Sequence, residues 1–190
     1  MGLAAAVVAA GPPPAPVLAP PWAIRPLAAG GADAELVSRW MGEPHVEAFW
    51  RAAWPARRWA EELAGQLAGE HSRPYLVSYQ GAPLSYVEIY RTPRDVVGRQ
   101  YDADPYDLGV HLAIGDPGRT GRGLGRALVR AIAEGLAVAD PRCRRVFADP
   151  DERHVAARRM FARAGFRSIG IHDLGHKRAE LLFTAVNNLG

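Results

Sequence analysis

Hydrophobic and polar positions alternate with two different periods along this chain. Residues 22–27 (WAIRPL) alternate large apolar with small or polar side chains and predict a first strand. Gly30, Gly31 and Asp33 then open a helical pattern that runs through Trp40. Pro44 interrupts it, and a second helical pattern covers residues 46–50. Beyond Pro55, Trp59, Leu63 and Leu67 recur every fourth residue, with Glu61 and Glu62 near the N-terminal end, which predicts a third helix. In the middle of the chain the period drops to two. Residues 74–80 and 84–91 alternate like strands, and Gly81-Ala82-Pro83 between them signals a hairpin. A polar, acidic connection follows at 92–105, then a strand over 106–114 and a glycine-rich turn. A helix over 124–139, a short strand over 145–148, a helix over 154–164 and strands over 167–173 and 177–186 complete the pattern. This order predicts an α/β chain with one sheet and no internal repeat.

Residues 1–21 stand apart, because they carry no charge at all. The apolar run over 4–10 lacks the basic residues that precede the core of a signal peptide, and Pro12–Pro14 follow at once. It is also far shorter than the roughly 20 residues that cross a bilayer. We therefore expect a disordered Pro/Ala leader over 1–21, a single domain over 22–190, no membrane association and a cytoplasmic protein. The 190 residues suit one domain. A lone cysteine, Cys143, rules out an intramolecular disulfide and a thiolate cluster for zinc. The six histidines show no helical i, i+4 pair with an intervening Glu, so no metal is expected. Of 23 basic residues only Lys177 is lysine, and the net charge of +3 is spread among interspersed signs. That pattern gives no reason to expect nucleic-acid binding.

The most informative stretch is Gly115–Val129, where an apolar strand turns into an amphipathic helix through glycines 121, 123 and 125. Such a turn brings main-chain N–H groups close to a ligand, and the helix start adds unpaired donors and a partial positive charge. Together they suit a phosphate or diphosphate. The Walker pattern is excluded by the missing lysine, and the dinucleotide pattern by the GxGxG spacing and the late position in the chain.

Gly121-Arg122-Gly123-Leu124-Gly125 before a helix, with Ala164-Gly165-Phe166 further on, resembles the coenzyme A half of the GNAT-type N-acyltransferases. The resemblance implies a GNAT fold, a central mixed and mostly antiparallel twisted sheet flanked by helices. It also implies acetyl-CoA or another acyl-CoA as the acyl donor. Its cofactor contacts would be Leu112, Ala113, Ile114, Arg119, Thr120, Gly121, Arg122, Gly123, Leu124, Gly125, Arg126 and Arg158. The chain departs from the family pattern at Thr120, where Gln or Arg is common. It departs again at Phe161, where the family often has a tyrosine that protonates the departing thiolate.

Longer motifs narrow this further. Residues 101–111 (YDADPYDLGVH), Pro141–Arg145, Asp149-Pro150-Asp151, Pro44-His45, Trp54-Pro55 with Arg58-Trp59, and 86–90 (YVEIY) resemble the acyltransferases of siderophore pathways, of the mycobactin lysine and aerobactin hydroxylysine kind. In such proteins the acceptor is the side-chain amine or hydroxylamine of lysine, ornithine or a related diamine. Acyl transfer to an amine requires a base and something to steady the oxyanion. His111, on the strand before the glycine turn, can accept a proton near its ordinary pKa of about 6.5. Asp149, just after the neighbouring strand, would orient it, and a main-chain N–H near His111 would meet the oxyanion. With Phe161 unable to donate, thiolate release either needs no dedicated acid or uses protonated His111. Trp54, Glu88, Tyr90, His111 and Asp149 are the expected acceptor contacts. An aminoglycoside-type acetyltransferase stays open because of the acidic run over 102–107, and so does a silent coenzyme A-binding module. Acyl-chain length and oligomeric state stay open as well.

Overall fold

The computed structural model describes residues 2–186. Seven strands form one sheet in the order β1-β2-β3-β4-β5-β7-β6. They are β1 (Trp22–Pro26), β2 (Ser72–Tyr79), β3 (Ala82–Arg91), β4 (Leu108–Ile114), β5 (Arg145–Ala148), β6 (Arg167–Asp173) and β7 (Arg178–Ala185). Every neighbouring pair is antiparallel except β4 and β5. That parallel pair needs a crossover, which α5 (Leu124–Ala139) supplies. The remaining helices are α1 (Leu3–Ala10), α2 (Gly31–Met41), α3 (Pro44–Trp50), α4 (Ala56–Ala68) and α6 (Val155–Arg163). The mixed, mostly antiparallel sheet with helices on both faces is the fold that the glycine-turn resemblance implied.

Strand alternation sends side chains to two cores. Tyr75, Val77, Val87, Ile89, Leu108 and Val110 pack with Leu128, Ile132 and Leu136 of α5 and Phe161 of α6. On the opposite face Leu76, Tyr86 and Ala113 pack with Val37 and Met41 of α2 and Trp59 and Leu63 of α4. His111 shares that second face, since it is two residues from Ala113. The β2–β3 turn is Gln80-Gly81, both with positive φ, and Tyr79 pairs with Ala82. The hairpin is therefore one residue tighter than the Gly81-Ala82-Pro83 turn predicted.

The larger difference lies in residues 2–21. The expected disordered leader instead forms α1 and an extended strap against the sheet. Ala6, Val7, Pro13 and Pro16 are buried. Arg91, at the end of β3 and only 1% exposed, donates from Nε to the Gly11 carbonyl (2.6 Å) and from Nη2 to that of Ala10 (2.9 Å). Further along, the Val17 N–H meets the Gly135 carbonyl at 3.1 Å, and the Gln80 N–H meets that of Pro21 at 2.8 Å. The absence of charge in this segment suits contact with protein rather than water. Its carbonyls accept from Nε and Nη2 of the buried guanidinium.

Candidate active site

β4 and β5 pair only through Leu108 with Val146 and Gly109 with Phe147. Residues 110–114 of β4 run on with no partner from β5, and Asp149 follows directly after β5. His111 stands in this opening. Its Nε2 lies 3.0 Å from Asp149 Oδ1 and its Nδ1 lies 3.2 Å from Glu88 Oε2. Glu88 is the register partner of His111 across the β3–β4 ladder, which places the two side chains on one face. Asp149 gathers two further groups. The Tyr90 hydroxyl donates to Oδ1 at 2.8 Å, and Lys177 Nζ, from the turn before β7, sits 2.9 Å from Oδ2. Tyr90 reaches Asp149 because its register partner is Gly109. A Cβ at Gly109 would lie 2.0 Å from the Tyr90 ring, so only glycine allows the ring to cross β4 there. The Tyr90 ring also stacks on His111 at 4.6 Å.

The charges in this cluster hold one another. Burial of Asp149 raises its pKa, but His111 and Lys177 outweigh burial and keep its carboxyl far below the usual range. Glu88 is half-buried, which acts upward, and its bond to His111 brings it below its ordinary value. For His111, burial acts downward, while Asp149 and then Glu88 act upward and prevail, lifting the imidazole to about 10. The resting group at neutral pH is thus an imidazolium between two carboxylates. This differs from the imidazole of ordinary pKa expected from the sequence. The reason is the second carboxylate, which makes loss of the proton unfavourable on both sides.

A cleft of about 490 Å³ opens beside the cluster, with Arg58, Glu61, Glu62, Gln66, Ser72 and Glu88 in its wall. The first four share one face of α4 by their i, i+3, i+4 and i+8 spacing. Glu88 belongs to both cleft and cluster, and Gln66 Nε2 donates to its Oε1 at 3.3 Å. Of the expected acceptor contacts, Glu88 lines this cleft and His111 adjoins it. Tyr90 and Asp149 lie behind, as supports for His111. Trp54 backs the wall instead of lining it: the Arg58 guanidinium lies 3.8 Å over its ring, and Trp59 packs 5.1 Å away. The acidity also comes from α4 and Glu88, not from the 102–107 run. Asp107 is buried and bonded twice by Arg145, at 3.0 and 2.6 Å.

At the far end of β4 the glycine turn is fully formed. Gly121 and Gly123 have φ of +69° and +81°, with open space where a Cβ would stand. Gly123 ends the turn as the residue before α5, whose first turn carries no capping side chain and no acidic residue. Arg122 and Arg126 are exposed beside it. Open main-chain donors, a helix start and two arginines fit a diphosphate. Other expected cofactor residues have different engagements. Arg119 donates to the Pro83 carbonyl (3.1 Å) and Thr120 Oγ1 to that of Pro117 (2.8 Å), which shape the turn. The carbonyl of Ile114 accepts from His45 Nε2 at 2.8 Å, and that of Ala113 from Ser85 at 2.8 Å. Leu112 packs partly into the α5 core. Arg158 is committed to Glu180 and the Glu152 carbonyl rather than to the turn. His154, the residue before α6, is half-buried and stacks on Phe49 at 3.7 Å.

Two contributors escaped the sequence reading. Lys177 carried one signal, as the only lysine among arginines. Gln66 carried none, since glutamine on a polar helix face is unremarkable. Among the described residues no group of three or more His, Cys, Asp or Glu is arranged to hold a metal, and no helix is long and apolar enough to cross a membrane.

Comparison with known proteins places this geometry. The acetyltransferase (GNAT) domain family matches residues 30–174. Lysine N-acyltransferase MbtK of Mycobacterium sp. (strain MCS) is 44% identical over 169 residues, covering 89% of this chain and 69% of that protein. The Escherichia coli N(6)-hydroxylysine O-acetyltransferase is 31% identical over 151 residues, covering 80% of this chain and 48% of that protein. The crystal structure of aminoglycoside acetyltransferase AAC(6')-Ib in complex with coenzyme A and kanamycin superposes with a TM-score of 0.78 at 25% identity, over 87% of this chain and 95% of that one. The chain belongs to the GNAT acetyltransferase family and is an acyl-CoA-dependent N-acyltransferase.

Proposed function

We propose that this protein transfers an acetyl or other acyl group from acyl-CoA to the side-chain amine or hydroxylamine of lysine, ornithine or a related diamine, in the biosynthesis of a hydroxamate siderophore. The observation that carries this reading is Glu88, which bonds His111 and also lines an acidic cleft suited to an amine. The relatives that act on lysine and hydroxylysine support the choice of acceptor. The main chain of Gly121–Arg126, with Arg122 and Arg126, holds the donor's diphosphate, and the unpaired edge of β4 runs from there toward His111. We assign the enzyme to the cytoplasm.

The nitrogen attacks as a neutral amine, forming the N–C bond as the C–S bond breaks. His111, standing as imidazolium, gives its proton to the departing thiolate and recovers one from the newly acylated nitrogen through its contact with Glu88. This assigns the acid that Phe161 cannot be. Phe161 is buried against Phe166, 5.2 Å away. Asp149, with Tyr90 and Lys177, holds the imidazolium in place. His111→Ala should reduce kcat/KM by about 10²–10⁴-fold, and should abolish the alkaline limb near pH 10 where the wild-type imidazolium loses its proton. An alkaline limb that survives the substitution removes His111 from this role. The acceptor also shapes the profile. A lysine amine, with a pKa of about 10.4, must shed a proton first, so its rate climbs with pH, whereas a weakly basic hydroxylamine gives a plateau. Screening lysine, N6-hydroxylysine, hydroxyornithine, hydroxycadaverine and kanamycin with acetyl-CoA, following free thiol, tests the acceptor class. The acidic cleft and the kanamycin-bound neighbour favour a second reading, an aminoglycoside acetyltransferase, and turnover of kanamycin alone would establish it.

A further inference from the structure

We infer that Arg58 binds the α-carboxylate of the acceptor at the outer end of the cleft, so that the acceptor is a complete amino acid with a long amine-bearing arm, not a diamine or an amino sugar. The inference rests on the amine-acylating reading above and adds a substrate class to it. The cleft is not uniformly acidic. Glu61, Glu62 and Glu88 share its wall with one guanidinium, that of Arg58. A polycation would find that guanidinium repulsive, whereas a zwitterion uses both signs.

The spacing agrees. Arg58 precedes Gln66 by eight residues on α4, which at 1.5 Å per residue separates their levels by about 12 Å. Gln66 marks the inner end, because it donates to Glu88. In an extended lysine, six bonds of roughly 1.5 Å zigzag to about 7.5 Å between Nζ and the carboxylate carbon, and a contact of about 3 Å at each end brings the span to about 13 Å. An amine at Glu88 thus brings the carboxylate to about the level of Arg58 on α4.

Arg58 is also prepared for the task. Its guanidinium lies over the Trp54 ring at 3.8 Å, a contact that holds the side chain while using none of its N–H donors. No carboxylate pairs with it among the described residues, whereas the neighbouring Arg57 is paired with Glu61 at 3.4 Å. Glu62 stands one turn from Arg58, within reach of the α-ammonium.

Cadaverine is lysine without its carboxylate, and it isolates the contact. With acetyl-CoA saturating, kcat/KM is measured for L-lysine and cadaverine, and in parallel for their N-hydroxylated forms, in the wild type, Arg58→Gln and Arg58→Lys. The wild type should prefer the amino acid by about 10- to 100-fold. Arg58→Gln should bring the ratio close to one, mainly by raising KM for the amino acid. Arg58→Lys, which keeps the charge but not the planar fork, should fall between and separates loss of the contact from loss of folding. A wild type that prefers the diamine, or a ratio that Arg58→Gln leaves unmoved, overturns the inference while amine acylation stands. Failure to acylate any of these acceptors while kanamycin is turned over overturns both.

Discussion

The turn that follows β4 and the cluster around His111, at the middle of that strand, are built from different parts of the chain. The turn is made of main chain: Gly121 and Gly123 are open, its side chains are mostly exposed, and its donors are amide hydrogens. The cluster is made of side chains brought from β3, β4, the end of β5 and the turn before β7, each satisfying another's charge. A main-chain site tolerates many side chains and resists an added Cβ. A side-chain cluster fails when one charge is removed.

Three substitutions sharpen that contrast. Asp149→Asn keeps the shape and deletes the charge that His111, Tyr90 and Lys177 share. We expect kcat/KM to fall about 10³-fold. The alkaline limb should move from about 10 toward the ordinary histidine range, because the main upward influence on His111 is lost. A pH–rate profile checks both, and a limb that stays in place means that Asp149 does not govern the imidazole. Lys177→Met leaves Asp149 Oδ2 without its cation. An approximately tenfold loss in kcat should follow, with the limb shifted upward, since removing a positive neighbour makes the imidazolium easier to keep. A shift in the opposite direction would contradict the electrostatic account. Gly123→Ala tests the turn itself. At φ +81° an alanine costs on the order of 1 kcal/mol, so KM for acetyl-CoA should rise about fivefold with kcat nearly unchanged. A comparable loss in kcat would mean that the turn and the cluster are not separable.

The same contrast explains what was legible in the sequence. Helix α5 and strand β5 were bounded correctly because a glycine turn and a clean change of period are local signals. The GxGxG spacing likewise announced a tight turn into a helix start without reference to the rest of the chain. His111, Asp149 and Glu88 could be singled out as residues, but their electrostatic state could not. It depends on partners 23 residues before His111 and 38 after it. Tyr90 could be named as an acceptor contact, but its bond to Asp149 depends on Gly109 across the ladder. Lys177 and Gln66 enter through tertiary contacts that no periodicity encodes. The strap was misread for a related reason: its composition resembles that of disordered segments, and the partner that orders it, Arg91, lies some 80 residues away.

Arg91 has one practical consequence. It is the next residue after Tyr90, so one peptide unit joins the guanidinium seated on the amino-terminal carbonyls to the phenol that holds Asp149. A purification handle or fusion partner attached ahead of Gly2 therefore loads a segment that is mechanically continuous with the chemistry. Preparations that differ only in that appendage should be compared by kcat/KM before they are treated as one enzyme.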